Sequence, residues 1–313
     1  MTKVRKGRQF HNQPEDSHQH RYLVALWDEV RNKSGGLLDI AVHASNAGVA
    51  GSDPAVLDMI VSGELEFATL MGPLLAARVP AAEIQGLPFA FADSEQAHVA
   101  VDGTLGEYLR REASASNIAL IPGGALENGF RQICSVKKTV RGVEDLAGYR
   151  MRVPAGRILS ELFDALGAVP VTVNIAGLSR ALETGEVDGH ENPLAIVEVN
   201  RLHDLTRHIA LTNHVWSAFN LIAHLPFWES LDDSLREIVQ RAVRTQVAVQ
   251  RADTVALNRA LEANLASRGI AVERIDIAPF RARLAGAFYA RARERCGRDA
   301  WTQLEASVGR LPV

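Results

Sequence analysis

The chain has 313 residues, 47% of them hydrophobic, which exceeds the usual single-core size and supplies apolar material for two buried cores. A formal net charge of −3, with no basic stripe or tail, argues against a nucleic-acid partner. The two cysteines, Cys134 and Cys296, form no CxxC or other metal spacing, and their separation alone does not decide whether they are free or paired.

The amino-terminal MTKVRKGRQFHNQPEDS is basic with no apolar run behind it, and reads as neither a signal peptide nor a membrane span. Residues 4–10 are expected to form a short strand, after which HNQPEDS turns with Asp16 or Ser17 as helix N-cap. Tyr22, Leu23, Leu26, Trp27 and Val30 recur at helical spacing, and Gly35-Gly36 stops the helix. His18 and His20, two apart on that helix, diverge and make a poor metal pair. LLDIAVHA alternates as a strand, SNAGVAGS is a loop, Asp53-Pro54 opens a helix ending at Gly63, and LEFATL is a strand reaching Met71. This order predicts one α/β lobe with crossover connections and a ligand edge formed by its loops.

Residues 94–115 read as helices, and IALIPGG returns as a strand toward a second lobe. GFRQICS and YRMRV are further strands, carrying Arg131 and Arg152. Alternation in YRMRV sets Arg150 and Arg152 on one face, and Pro154 ends the strand before a helix over 155–166. Arg152 thus stands at the carboxyl end of a strand, the edge where ligands gather in open α/β sheets. A guanidinium there presents a fixed fork of donors that matches a carboxylate, whereas elsewhere arginines mostly make surface ion pairs. Leu159, Leu162, Phe163 and Leu166 stripe the following helix, and LSRALETG forms another. EVDGHENP reads as a loop giving a cleft its polar floor, with Asn192 held extended by Pro193, either to meet a ligand or to bond its own backbone. Glu191 is most simply a solvated or structural carboxylate.

RHIALTN and WSAFNLIAH read as two strands crossing back to the first lobe, with Trp216 near the crossing, either stacking on a ligand or filling a hinge. From Ser230 to Arg268 there is no glycine or proline, and Leu235, Val239, Val243 and Val247 repeat every four residues. A helix of that length extends roughly 57 Å, longer than either lobe, and has to lie across both. AVERIDI is then a short strand, followed by helices rich in Arg and Ala.

The ordered runs GxR, DLxGxxxRVP, LGAxPVxV and ALETGEVDGxENP, with GLPFAF at 86–91 and NLIAHLPFWESL at 220–231, resemble the DctP-type solute-binding proteins of TRAP transporters over most of the chain. The resemblance implies an α/β, bilobed, periplasmic-binding-protein-like fold with a ligand cleft between two α/β domains and a long helix spanning both. The first lobe is expected over 1–124 plus 213–250, the second over 125–212 plus 251–313, and the spanning helix over 230–268. It further implies that Arg152 grips a ligand carboxylate, with Arg131 and Asn192 completing the clamp. Trp216, Asn12, Met71 and Ile175 are the less specific candidates. The loops at Asn12, Val49 and Met71 would face the ligand, unless Val49 and Met71 are ordinary core, and an apolar wall there would suit a ligand with an apolar portion better than a fully hydroxylated sugar acid. The chain departs from the family at Gly177-Leu178-Ser179, where Glu-Val-Tyr is frequent, and at His190, where Gln is common. The implied partners are a small organic acid and the membrane subunits of a TRAP transporter, in the periplasm, and a chain beginning at its first strand is what a mature form looks like.

GxSxG, HExxH, GxxxxGK[ST] and GxGxxG are all missing, so no catalytic residue, metal or cofactor is expected. His190-Glu191 superficially suggests an acid and a base, yet adjacent residues diverge and no nucleophile stands nearby. The alternatives are a sensor lobe for a receptor and, more remotely, a bilobed enzyme acting on a small carboxylate.

Overall fold

A computed structural model describes residues 4–311. Met1–Lys3 at the basic start, and the last two residues of the range expected for the second lobe, lie outside the described residues.

Nine strands form one hydrogen-bonded sheet: β1 (Arg5–Phe10), β2 (Leu38–His43), β3 (Phe67–Met71), β4 (Ile118–Ser135), β5 (Arg150–Val153), β6 (Val169–Thr172), β7 (Gly189–Asn192), β8 (His208–His224) and β9 (Ala271–Arg274). The order is β2-β1-β3-β8-β4-β7-β5-β6, with β9 on β8. Two long antiparallel strands, β4 and β8, run through both halves of the molecule. One end of β8 pairs with β3 of the first lobe, while the far ends of β8 and β4 pair with β9 and β7 of the second. The fold is therefore the expected mixed α/β arrangement in two lobes.

Each of these long strands replaces two expected ones. IALIPGG and GFRQICS are a single strand, as are RHIALTN and WSAFNLIAH. The glycines that read as breaks are instead bulges: register shifts fall between Leu120 and Ala125, Glu127 and Gly129, and Arg131 and Ile133. A bulge lets a ladder continue while the strand bends, which is what a strand crossing between lobes requires. Gly129 has φ of 114°, where side chains are strained, and a Cβ there would press on Asn258 and Pro193. EVDGHENP is likewise no simple loop, because its last residues are β7, held between β4 and β5. Its polar residues hid the strand, since period-two hydrophobicity was absent even though every side chain is buried.

The helix His18–Lys33 starts where Ser17 accepts from the His20 amide. The helix expected from 155 runs over Arg157–Ala165 and buries Leu159, Leu162 and Phe163. The long helix spans Asp233–Ser267, 35 residues, capped by Asp232 accepting from the Leu235 amide. That is about 52 Å of helix. Its first half buries Leu235, Val239, Val243 and Val247 in a core with β1–β3 neighbours, and its second half buries Leu261 and Leu265 against β8 and the helix Leu178–Glu183. One rigid rod thus belongs to both lobes.

The described residues close with the helices Ala278–Leu284, Ala287–Cys296 and Arg298–Val308. Ala287–Cys296 and Arg298–Val308 lie on Ser94–Asp102, Thr104–Ser114 and the turn Pro80–Gly86, whereas Ala278–Leu284 packs on Arg157–Ala165 and on Ala287–Cys296. Phe288, Tyr289, Trp301 and Leu304 supply the reason, since their apolar face fills the core around Ile84, Leu87 and Leu105. Both cysteines are free and buried, and burial pushes both thiols up, Cys296 to about 12.

Candidate carboxylate-binding site

A narrow cleft lies between the lobes. It brings together Arg131, Arg152, Asn192, Asn12, Met71 and Ile175, six of the expected site residues.

Arg152 ends β5 and is 2% exposed. Its Nε donates to the Val173 carbonyl at 2.7 Å, and no acceptor meets its two terminal nitrogens among the described residues. Burial lowers its pKa to about 10, with Arg131 adding repulsion while Glu191 and Asp53 oppose, so it stays charged at neutral pH. A buried cation whose terminal donors border a cleft is poised for an anion.

Arg131 is differently placed from the expectation of an open carboxylate clamp. Its Nε and Nη2 fork onto the Glu191 carboxylate, and Nη2 also donates to the Glu191 carbonyl at 2.7 Å. Only Nη1 faces away from that pair, 3.7 Å from Met71 Sδ. Glu191 is the structural carboxylate foreseen, with no exposure. Burial alone would raise its pKa, but Arg131 and a hydrogen bond from His214 hold it at about 2.

Asn192 is oriented on both sides. Its Oδ1 accepts from Arg131 Nη2 at 3.3 Å, so its Nδ2 turns to His190 Nδ1 at 3.1 Å. His190 is therefore an acceptor at Nδ1 and carries its proton on Nε2, next to Thr206 Oγ1. Burial and then Arg152 lower its pKa to about 3, so it is neutral. Asn192 Nδ2 keeps a second hydrogen for the cleft. His190 orients Asn192 and Glu191 holds Arg131, so the two act on different partners rather than as an acid–base pair.

Trp216 does not reach the cleft. It pairs with Phe130 across β4 and β8 while Arg131 pairs with Val215, and alternation puts the indole on the opposite face from Arg131. There Nε1 donates to Glu127 Oε2 at 2.8 Å and the ring meets Phe91 edge-on at 5.6 Å. Trp216 is 1% exposed and packs in the core. Val49 also lies outside the cleft, packed against the core.

Asp53, Gln13, Asn128 and Asn174 line the cleft without having been singled out. With Asn12 they make its wall far more polar than Met71 alone suggested. Asp53 had been read only as a helix opener, and the signal was that Asp-Pro follows a loop at the ligand edge of the first lobe.

The model of the bacterial extracellular solute-binding protein family 7, DctP, matches residues 10–293. The chain belongs to that family. This family comprises binding proteins rather than enzymes. A Sinorhizobium fredii protein of uncharacterised role is 30% identical over 57% of the family 7 chain, which spans only 33% of that protein's length. The C4-dicarboxylate-binding periplasmic protein DctP of Rhodobacter capsulatus is 27% identical over 70% of the chain and 65% of its own length. The sugar acid binding protein DctPAm of Advenella mimigardefordensis, in complex with galactonate, superposes with a TM-score of 0.91 at 22% identity, over 98% of the chain and 99% of its own. Among the described residues, no helix of the family 7 chain is long and apolar enough to cross a membrane.

Proposed function

We propose that this chain captures a small organic acid between its lobes in the periplasm and delivers it to the membrane subunits of a TRAP-type secondary transporter. The observation that carries the reading is Arg152, which lines the cleft, is buried and charged, and has no acceptor at either terminal nitrogen among the described residues. A ligand carboxylate accepts from that fork, Asn192 Nδ2 adds a hydrogen bond, and Arg131, its charge already met by Glu191, can add a hydrogen bond from Nη1. Closure removes water, so these contacts are stronger in the closed state than in the open one, and that difference drives the lobes together.

The proposed division is at the bulged crossings of β4 and β8, near residues 124 and 213, with the long helix bridging. Names of relatives agree with a carboxylate, one being described as binding C4-dicarboxylates and another as holding galactonate. A thermal-shift screen against a panel of organic acids tests the proposal. A tight ligand at 100 times its dissociation constant adds about 2.7 kcal/mol of stability. A panel in which amines or neutral sugars stabilise the protein and no acid does would sink the reading.

A further inference from the structure

Asp53 stands across the same cleft as Arg152 and is 7% exposed. Its Oδ1 accepts from Asn46 Nδ2 at 2.7 Å and its Oδ2 from Asn12 Nδ2 at 2.7 Å. A carboxylate has about four acceptor positions, so both oxygens keep capacity for a further donor. The amides behind it are aligned. Gln13 Nε2 donates to Asn12 Oδ1 at 2.7 Å, and Gln13 Oε1 accepts from Asn200 Nδ2 at 3.0 Å, from the facing lobe. Every amide in this chain sends its NH2 toward Asp53, an order that ends naturally on an acceptor. Burial pushes the Asp53 carboxyl up, and the two asparagines and Arg152 oppose that.

Counting charges around the cleft restricts what can enter. Arg131 and Glu191 neutralise each other, and burial favours the neutral form of both His190 and His214. One cation, Arg152, and one anion, Asp53, remain to meet a ligand. A single carboxylate satisfies Arg152. A second one would place a third negative group in a buried space with a single unspent cation, which is strongly unfavourable. A hydroxyl, in contrast, can donate to Asp53 and brings no charge. Asn128 and Asn174 offer further polar wall.

We infer that Asp53 is a second recognition group, accepting a hydrogen bond from a ligand hydroxyl, so that the cleft takes hydroxylated monocarboxylic acids in preference to dicarboxylates. This rests on the carboxylate reading of Arg152. Hydrogen bonds to charged groups carry a tenfold or larger effect on affinity.

The test is calorimetry of the wild-type chain with three matched sets: glycerate, propionate and malonate; D-erythronate, butyrate and succinate; D-gluconate, hexanoate and adipate. In at least one set the hydroxylated acid is expected to bind tenfold or more tightly than both companions, and Asp53→Asn, folded by circular dichroism, is expected to lose that margin. If acids bind but no set shows that margin, the inference is overturned and the carboxylate reading stands. A margin that persists in folded Asp53→Asn has the same consequence. Should Asp53→Asn fail to fold, Asp53→Ser is used, and wild-type selectivity decides if that also fails. Absence of binding by all nine acids overturns both readings.

Discussion

Arg131 donates from both Nε and Nη2 to the carboxylate of Glu191, its neighbour across the β4–β7 ladder, at 2.6 Å for Nη2 to Oε1. Neither side chain has meaningful exposure. Two arginines therefore line the cleft in different states, one neutralised by the protein and one with its terminal nitrogens unpartnered among the described residues.

Glu191→Gln should be costly because it strands a buried guanidinium. Removing one partner of a buried ion pair costs about 3 to 5 kcal/mol. A urea midpoint lowered by that free energy divided by the slope, with the slope unchanged, is the expected result. An unchanged midpoint would mean that Arg131 is solvated.

Stability should fall as the solution is acidified. His11 and His190 have folded pKa values of about 3, below the ordinary 6.5, chiefly through burial. The unfolded chain then binds more protons between pH 6.5 and 3, and the stability these groups contribute, complete above 6.5, is lost on the way down. Glu191, at about 2 against an ordinary 4.5, extends the loss from pH 4.5 toward 2. The unfolding free energy from urea titrations should decline by on the order of a few kcal/mol between pH 7 and 4 in the absence of ligand. A flat profile over that range would contradict the neutral, buried state of the histidines.

Asn200 and Gln13 bridge the lobes through one neutral hydrogen bond. Such a bond contributes about 1 kcal/mol. Asn200→Ala should speed ligand release several-fold in stopped-flow measurements and leave the melting temperature of the unliganded chain nearly unchanged. Unaltered release would place the bridge outside the closed state.

Trp216→Phe should lower stability by about 1 to 3 kcal/mol, since Glu127 loses a donor in a buried site. The rank order of ligands should not change. A changed rank order would return the indole to the cleft.

Much of this arrangement was readable in the residues. The glycine-free run from Ser230 to Arg268 announced a helix too long for one lobe, and Pro154 after YRMRV put Arg152 at a strand end. Less local features were hidden. Whether glycines at 123, 124 and 129 break a strand or bulge it depends on the partner strand, which only the fold supplies. Trp216 and Arg131 both lie near the crossing, and which faces the ligand is set by a register that bulges shift. Asp53 looked like a helix opener because its partners, Asn12 and Asn46, sit on other loops. The fork of Arg131 on Glu191 was concealed for the same reason, with 60 residues between them.

The most direct test is calorimetric titration of wild type and Arg152→Ala with the tightest acid found in screening. The account predicts a folded variant whose affinity is lower by a few hundredfold or more, as expected for about 3 to 5 kcal/mol when a buried carboxylate loses its cation. Binding of undiminished tightness by folded Arg152→Ala would contradict it.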